Sequence, residues 1–167
     1  MDWRRWFRHS FALRSTLHRA FPAGTLDAIE RAIDESELVH RGEIRFAIES
    51  SLEPGEALHG KAPRARALEV FAALGVWDTN ENNGVLIYVL LADRDVEIVA
   101  DRGFNEFVPR EQWSAVCDHM EQEFRAGRFR EGAVAGAKDV GRIVARHFPR
   151  RPGERDRDEL PNRPTLL

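Results

Sequence analysis

The sequence predicts an α/β protein, a three-layer α/β/α sandwich around a small mixed sheet. Three observations support this. Residues 84–91 are uncharged, and they are apolar at odd and even positions alike, as expected for a central strand covered on both faces. Residues 43–49 alternate between apolar and charged. The segments around these strands repeat apolar residues at helical spacing. The element order is α-β-α-β-β-α-α, with an extra N-terminal helix.

The N-terminal 20 residues predict a basic amphipathic helix. Trp3, Trp6, Phe7, Leu13 and Leu17 recur at roughly helical spacing, with arginines between them. One interpretation is a terminal helix folded onto its own domain. The alternative is peripheral contact with an anionic membrane surface through residues 1–20.

Two further helices and a strand are expected before residue 75. Thr25 is expected to cap a helix that continues to about Leu38, and Pro63 suits the first position of another. Between them, Ile44 alternates with charged neighbours, which predicts a strand with one buried face and a charged outer face. Residues 52–62 contain Pro54, Gly55 and Gly60 and are predicted to form a loop.

The C-terminal half predicts a hairpin and two helices. Residues 96–100 form the return strand after the turn at residues 92–95. A helix beginning at Pro109 places Trp113 inward and ends at Gly127, and the last helix runs from about Arg130 to His147. We therefore divide the chain into the N-terminal helix (1–20), an α/β/α domain (21–148) and an extended proline-containing tail (149–167).

Composition excludes several classes of protein. The chain has 167 residues, with 25 Lys and Arg against 28 Asp and Glu, so we expect no nucleic-acid partner. The lone Cys117 rules out an internal disulfide and fits a reducing compartment, so a cytoplasmic location is expected. The sequence contains no run of about 18 apolar residues that would span a bilayer.

Polar residues are concentrated directly before and directly after the predicted hairpin in the sequence. If Asp93 and Arg94 are the two central turn residues, the residue numbers of two residues that face each other across the hairpin add up to 187. Gly84 then lies near Gly103. Loops 77–83 and 101–106 then emerge side by side. Their polar residues include Asp78, Asn82, Asn83, Asp101 and Arg102.

This polar region supports two hypotheses. Asp78, Asn82, Asn83 and Asp101 are candidate ligands for calcium or magnesium, with Arg102 as a candidate phosphate-binding residue. Alternatively, Asx residues simply cap strand ends and turns. No nucleophile elbow, phosphate-binding glycine loop or dinucleotide fingerprint occurs, so catalytic residues stay unassigned and no organic cofactor is expected.

A composite motif comprises Asn83-Gly84 opening an apolar strand, the Ala92-Asp93-Arg94 turn, Val96-Glu97-Ile98, Gly103, Trp113, and Phe124-Arg125-Ala126-Gly127. Over roughly residues 25–148 this pattern resembles the TPM-domain family. This family includes thylakoid-lumen proteins linked to photosystem II repair and bacterial relatives, many of them membrane-tethered. Some members are described as calcium-binding acid phosphatases, and the family fold is an α/β/α sandwich.

The resemblance implies two functions. One is a non-catalytic accessory domain that binds a protein partner, membrane-associated in the family's contexts, in membrane-protein assembly or quality control. The other is a divalent-metal-assisted acid phosphatase. Family members usually carry an Asp-x-Ala-Gly-x-Leu motif before the first helix, whereas residues 21–26 here read Phe-Pro-Ala-Gly-Thr-Leu. The missing carboxylate argues against simple transfer of phosphatase activity.

Overall fold

A computed structural model describes residues 3–10, 14–151, 153 and 159–167. The helices of these ranges are α1 (Trp3–Ser10), α2 (Arg14–Ala20), α3 (Ala23–Glu37), α4 (Pro54–Leu58), α5 (Pro63–Ala73), α6 (Arg110–Arg125) and α7 (Phe129–His147). The strands are β1 (Glu43–Glu49), β2 (Gly84–Leu90), β3 (Asp95–Ala100) and β4 (Thr165–Leu166). A single 3-10 turn, Arg102–Phe104, follows β3.

The strands form one mixed sheet with the order β3-β2-β1-β4. Strand β1 runs parallel to both β2 and β4, and β3 returns antiparallel to β2. Helices cover both faces, which confirms the predicted α/β/α sandwich. Two elements were not expected from the sequence: α4 lies within the predicted loop, and β4 lies within the predicted extended tail.

The sheet separates two apolar cores. The larger core packs α3, α6 and α7 against one face, with Phe21, Ile29, Phe46 and Phe124 fully enclosed. The smaller core lies under α4 and α5 and includes Leu160 from the tail. None of the described helices is both long enough and apolar enough to cross a membrane.

Helices α6 and α7 pack closely, and Gly136 permits this. A Cβ atom at Gly136 would lie 2.6 Å from Met120 Cγ and would overlap most of that side chain. Met120 is completely buried, so it has little room to move away. Gly132 lies one turn earlier in α7, and a Cβ atom there would lie 2.7 Å from Glu123 Cβ, so both glycines permit the close packing of α7 on α6.

The hairpin register differs from the sequence prediction. Val85 pairs with Ala100 and Leu86 with Val99, so paired positions sum to 185 rather than 187. The turn contains four residues, 91–94, because Asp93 donates its N–H to the Leu90 carbonyl at 3.2 Å and the backbone closes at Arg94 with a φ of 53°. The shift is even, so every side chain keeps its predicted face.

Strand β1 was predicted to have one buried face, but all seven of its residues are buried. Its charged side faces α5 and the C-terminal tail. Glu49 accepts two hydrogen bonds from Arg66, at 2.9 and 3.0 Å, and one from the Tyr88 hydroxyl at 2.5 Å. Buried charges are tolerated when paired in this way.

Two predictions near the N-terminus also need correction. Thr25 is not the cap of α3: it is buried inside the helix, which begins after Pro22. The described part of the N-terminal region holds two helices, α1 and α2, rather than one. Leu13, predicted on the apolar stripe, lies outside the described residues.

Candidate functional site

The two polar loops meet at one end of the sheet, as the sequence predicted. Asp101 donates its N–H to the Gly84 carbonyl at 2.9 Å, and Gly103 donates to the Asn82 carbonyl, also at 2.9 Å. The Arg102 Nε donates to Asn82 Oδ1 at 2.9 Å. The loops are therefore tied together by backbone and side-chain hydrogen bonds.

Gly84 is required at the base of this loop pair. A Cβ atom there would overlap the carbonyl oxygen of Val76 and lie 3.0 Å from Val76 Cγ1. The chain after α5 can thus pass directly over the start of β2 only if residue 84 lacks a side chain. The motif glycine positions loop 76–83 against loop 101–106.

The predicted metal ligands occupy different environments. Asn83 is buried, and its Nδ2 donates to the Arg41 carbonyl at 2.7 Å while its N–H donates to Thr79 Oγ1 at 3.0 Å. Asn82 has a φ of 54°, a left-handed conformation that asparagine tolerates. Asp78 is exposed in the turn after α5, where its N–H donates to Gly75.

Asp101 is the candidate with unused hydrogen-bonding capacity. Its Oδ1 accepts from the Arg102 N–H at 2.7 Å and caps the 3-10 turn. Its Oδ2 is buried and has no hydrogen-bond partner among the described residues. Across that same part of the chain, no group of three or more His, Cys, Asp or Glu side chains is arranged to hold a metal ion.

The other motif residues have structural positions. Trp113 is buried and makes an edge contact with Phe104, with ring centroids 5.6 Å apart. Arg94 is exposed, and its Nη1 lies 3.4 Å from the Arg125 carbonyl at the end of α6. Gly127 has a φ of 79° and ends the same helix. Trp113 and Arg94 thus connect α6 to the 3-10 turn and to the hairpin turn, and Gly127 ends α6.

A second candidate site, not predicted from the sequence, is a groove between the edge strand β3 and helix α6. Its volume is about 730 Å³. Carboxylates come from both walls, and Arg64 and Arg110 are the basic residues in its lining. The acidic lining residues are Asp95, Glu97, Asp118 and Glu121.

Side chains satisfy part of the exposed edge of β3. Val96 donates its N–H to Glu121 Oε1 at 3.2 Å, and Arg64 donates to the Ile98 carbonyl. Arg64 also pairs with Glu97 at 3.3 Å. Covering edge groups with charged side chains is a common way to prevent indiscriminate strand pairing.

Acidic side chains outnumber basic ones in the lining of the groove, and two of the four acids are ion-paired, Glu97 with Arg64 and Glu121 with Arg125. Burial, together with the charges of Glu121, Glu97 and Asp93, raises the pKa of Asp95 to about 6. Burial and the same acidic surroundings raise the pKa of the Cys117 thiol to about 12, so this cysteine is an unreactive thiol at neutral pH. The sequence signal for the groove was Asp95 and Glu97 on alternate strand positions, with Asp118 and Glu121 one helical turn apart.

Known proteins share this fold. The structure of the BA42 protein from the psychrophilic bacterium Bizionia argentinensis is 33% identical, with a TM-score of 0.76 over 88% of this chain and 95% of that one. The N-terminal domain of the cg2496 protein from Corynebacterium glutamicum matches at 17% identity and a TM-score of 0.54. That match covers 73% of this chain and 72% of the other.

An N-terminal domain of a P. gingivalis protein matches at 24% identity and a TM-score of 0.53, over 75% of this chain and 76% of that one. Both of these lower-identity matches show similarity of fold alone. No curated protein matches the chain. The family model described as the TPM domain matches residues 18–143, which span both candidate sites. The chain therefore belongs to the TPM-domain family.

Proposed function

We propose that this TPM-domain protein is a non-catalytic binding domain that holds an extended, basic segment of a protein partner in the groove between β3 and α6. The observation that carries the proposal is the acidic groove beside an edge strand. Four carboxylates line it against two arginines. Because the Val96 N–H and the Ile98 carbonyl are already hydrogen-bonded to side chains, an extended segment would be held mainly by its lysines or arginines, which would balance the excess negative charge.

The composition of the groove also favours binding over catalysis. Its single thiol has a raised pKa and is a poor nucleophile. The apolar side chains at the floor of the groove, Trp113 and Phe104, are buried and carry no reacting group. The accessory role expected for the family requires a binding surface and no reacting group.

The test is calorimetry with a synthetic peptide of alternating Lys and Thr, beside the same peptide carrying Glu in place of Lys. We expect saturable binding of the basic peptide alone. Asp118→Lys should weaken it about fivefold, roughly 1 kcal/mol for an exposed charge. Glu131→Lys, an equal charge change on α7 outside the groove, is the matched control. Equal weakening by both variants, or equal binding of both peptides, would contradict the proposal.

A second candidate is a divalent-metal-assisted phosphatase at the sheet end, supported by the unsatisfied Asp101 Oδ2. A buried carboxylate oxygen without a donor is costly unless a cation or water supplies the missing interaction. Calcium or magnesium would be held there by Asp101, with Asn82, Asn83 and Asp78 as the candidate ligands. The bound ion would polarise a phosphoryl oxygen, and Arg102 would neutralise substrate charge.

Calorimetric titration of Ca²⁺ and Mg²⁺ separates these candidates. Binding to the wild-type protein that disappears in Asp101→Asn would support a metal site and justify a phosphatase assay. Absence of heat in both proteins would remove the metal hypothesis and leave the groove proposal unaffected. Binding that persists unchanged in Asp101→Asn would place the ion elsewhere.

A third candidate is contact with a membrane surface through α1. The face of α1 that packs on the domain is polar: Arg5 pairs with Asp93 at 2.8 Å, and His9 lies 3.2 Å from the same carboxylate. Its outer face presents Trp3 and Phe7, which are 57% and 52% exposed. Aromatic residues beside arginines are typical of interfacial helices. Sedimentation with anionic liposomes, compared between wild type and Trp3→Ser/Phe7→Ser, tests this candidate; equal sedimentation would exclude it.

A further inference from the structure

The C-terminal segment 159–167 lies along the edge of β1 opposite β2. Thr165 pairs with Ala47 and Leu166 with Ile48, and Leu167 donates its N–H to the Ile48 carbonyl at 2.9 Å. The segment supplies β4, the outer strand of the sheet. It lies beyond residue 143, where the match to the TPM domain ends.

Two buried charges of β1 face this segment. Arg45 is 6% exposed, and its guanidinium donates to Thr165 Oγ1 at 2.5 Å and to the carbonyl of Pro161. Glu43 is 3% exposed, and its Oε2 accepts from the Leu160 N–H at 3.2 Å. Burial lowers the pKa of Arg45, and the acceptors around its guanidinium offset the cost of removing this charge from water.

The outer side of the segment contacts α3. Asn162 Nδ2 donates to Asp34 at 2.8 Å and to Glu37 at 2.6 Å. Arg163 pairs with Asp27 at 3.1 Å and Glu30 at 2.7 Å. Leu160 is buried in the smaller core. The site thus recognises side chains as well as the backbone of the strand it accepts.

Arg150 and Glu159 are both bound near the Arg41–Glu81 ion pair of the domain. On one side, Arg150 donates its N–H to the Val39 carbonyl at 3.0 Å. On the other, Glu159 accepts from the Asn80 N–H at 3.0 Å. Both contacts lie within two residues of the Arg41–Glu81 ion pair.

We propose that the edge of β1 is a strand-accepting site that binds residues 159–167 of a second copy of this chain as well as its own. Every contact described above would be the same in the intermolecular complex, because donor segment and acceptor edge are identical in both copies. A tethered segment has an effective concentration in the millimolar range, so the wild-type chain at micromolar concentration keeps its own segment bound. Exchange requires a vacant acceptor.

Complementary variants create that vacancy. The first, Leu160→Asp/Thr165→Pro, has a disabled segment and an intact acceptor edge. The second, Glu43→Ala/Arg45→Ala, has a disabled acceptor edge and an intact segment. We expect each variant alone to sediment as a monomer. Their mixture should contain a complex of twice the monomer mass, because no functional tethered segment competes for the intact edge. Adding Arg163→Glu to the second variant should weaken that complex at least fivefold, because it reverses the pairing with Asp27 and Glu30.

A labelled peptide of residues 159–167 provides an independent reading. It should bind the first variant and not the wild type, whose site is filled. If the first variant does not fold alone, recovery of its circular dichroism on adding the peptide supports the site. A mixture that stays monomeric, together with no peptide binding or recovery, would overturn the proposal. The groove proposal is unaffected by either result, because β3 lies at the opposite edge of the sheet.

Discussion

At the scale of single residues, the fold places the carboxylate of Asp95 where its ionised form is unfavourable. Its pKa is raised to about 6 by burial and by three neighbouring acids, whereas the unfolded chain restores a value near 3.8. The folded state therefore binds the proton more tightly. This group costs stability at neutral pH, and the cost disappears as the pH falls through 6 towards 4.

We predict that Asp95→Asn raises the free energy of unfolding at pH 7.5 by about 1 kcal/mol, a figure reduced from the full linkage value because the group is partly exposed to solvent. The gain should shrink as the pH falls below 6 and vanish only below about pH 3.8, where the wild-type carboxyl is mostly protonated in both states. Urea unfolding at several pH values measures the difference. Asp118→Asn, an exposed acid of the same groove, should change stability little. A gain that is independent of pH would contradict this explanation.

The residue scale also shows how far the candidate site was predictable. The hairpin pattern predicted that Asn82, Asp101 and Arg102 lie close together. This prediction is correct even though the predicted strand pairing differs from the observed pairing by two residues. Whether Asp101 Oδ2 has a partner depends on side-chain rotamers and loop packing, which no sequence pattern encodes. The groove was missed because its acids come from β3 and α6, and their proximity arises only after packing.

At the scale of elements, the sequence predicted the helices correctly where their apolar spacing is regular. It was wrong about the burial of β1, where charged residues lie inside the protein. Helices α5, α6 and α7 lie close to their predicted positions because apolar spacing and flanking Gly or Pro mark them. Strand β1 was interpreted as half-exposed because Glu43, Arg45 and Glu49 alternate with apolar residues. Long-range partners bury these charges, and local alternation cannot reveal such partners.

The packing of α6 on α7 predicts whether substitutions at Gly136 lower or raise the stability of the protein. Gly136→Ala should lower the free energy of unfolding by about 1–3 kcal/mol, because the added methyl overlaps the buried Met120 side chain. In a Met120→Ala background the same change should be stabilising, since the overlap is gone and alanine has the higher helix propensity by about 1 kcal/mol.

A double-mutant cycle by chemical denaturation measures this coupling. Gly55→Ala, at a helical position with nothing within 4 Å of the added Cβ, is the control and should be neutral or slightly stabilising. Additive effects of Gly136→Ala and Met120→Ala would show that the helices adjust without the expected overlap.

At the scale of the whole molecule, the C-terminal segment makes the fold depend on contacts between the two ends of the chain. Arg45 and Thr165 are 120 residues apart, and Leu160 joins the core formed by Ala67, Val70 and Tyr88. Contacts of such sequence separation escape any local pattern, which is why the tail was expected to be extended. They also imply that the tail belongs to the same cooperative unit as the sheet.

We therefore predict that Leu160→Ala lowers the free energy of unfolding by about 2 kcal/mol or more, the cost of truncating a leucine in a packed core. The loss should appear in one cooperative transition, with calorimetric and van't Hoff enthalpies in agreement, because removing Leu160 weakens the packing beneath β1 and β2. Leu167→Ala, at a residue that is 40% exposed, is the control and should cost much less. The opposite result would be an unchanged main transition in Leu160→Ala together with fast amide exchange in residues 159–167. It would show that this segment unfolds separately and that the sheet is stable without its fourth strand.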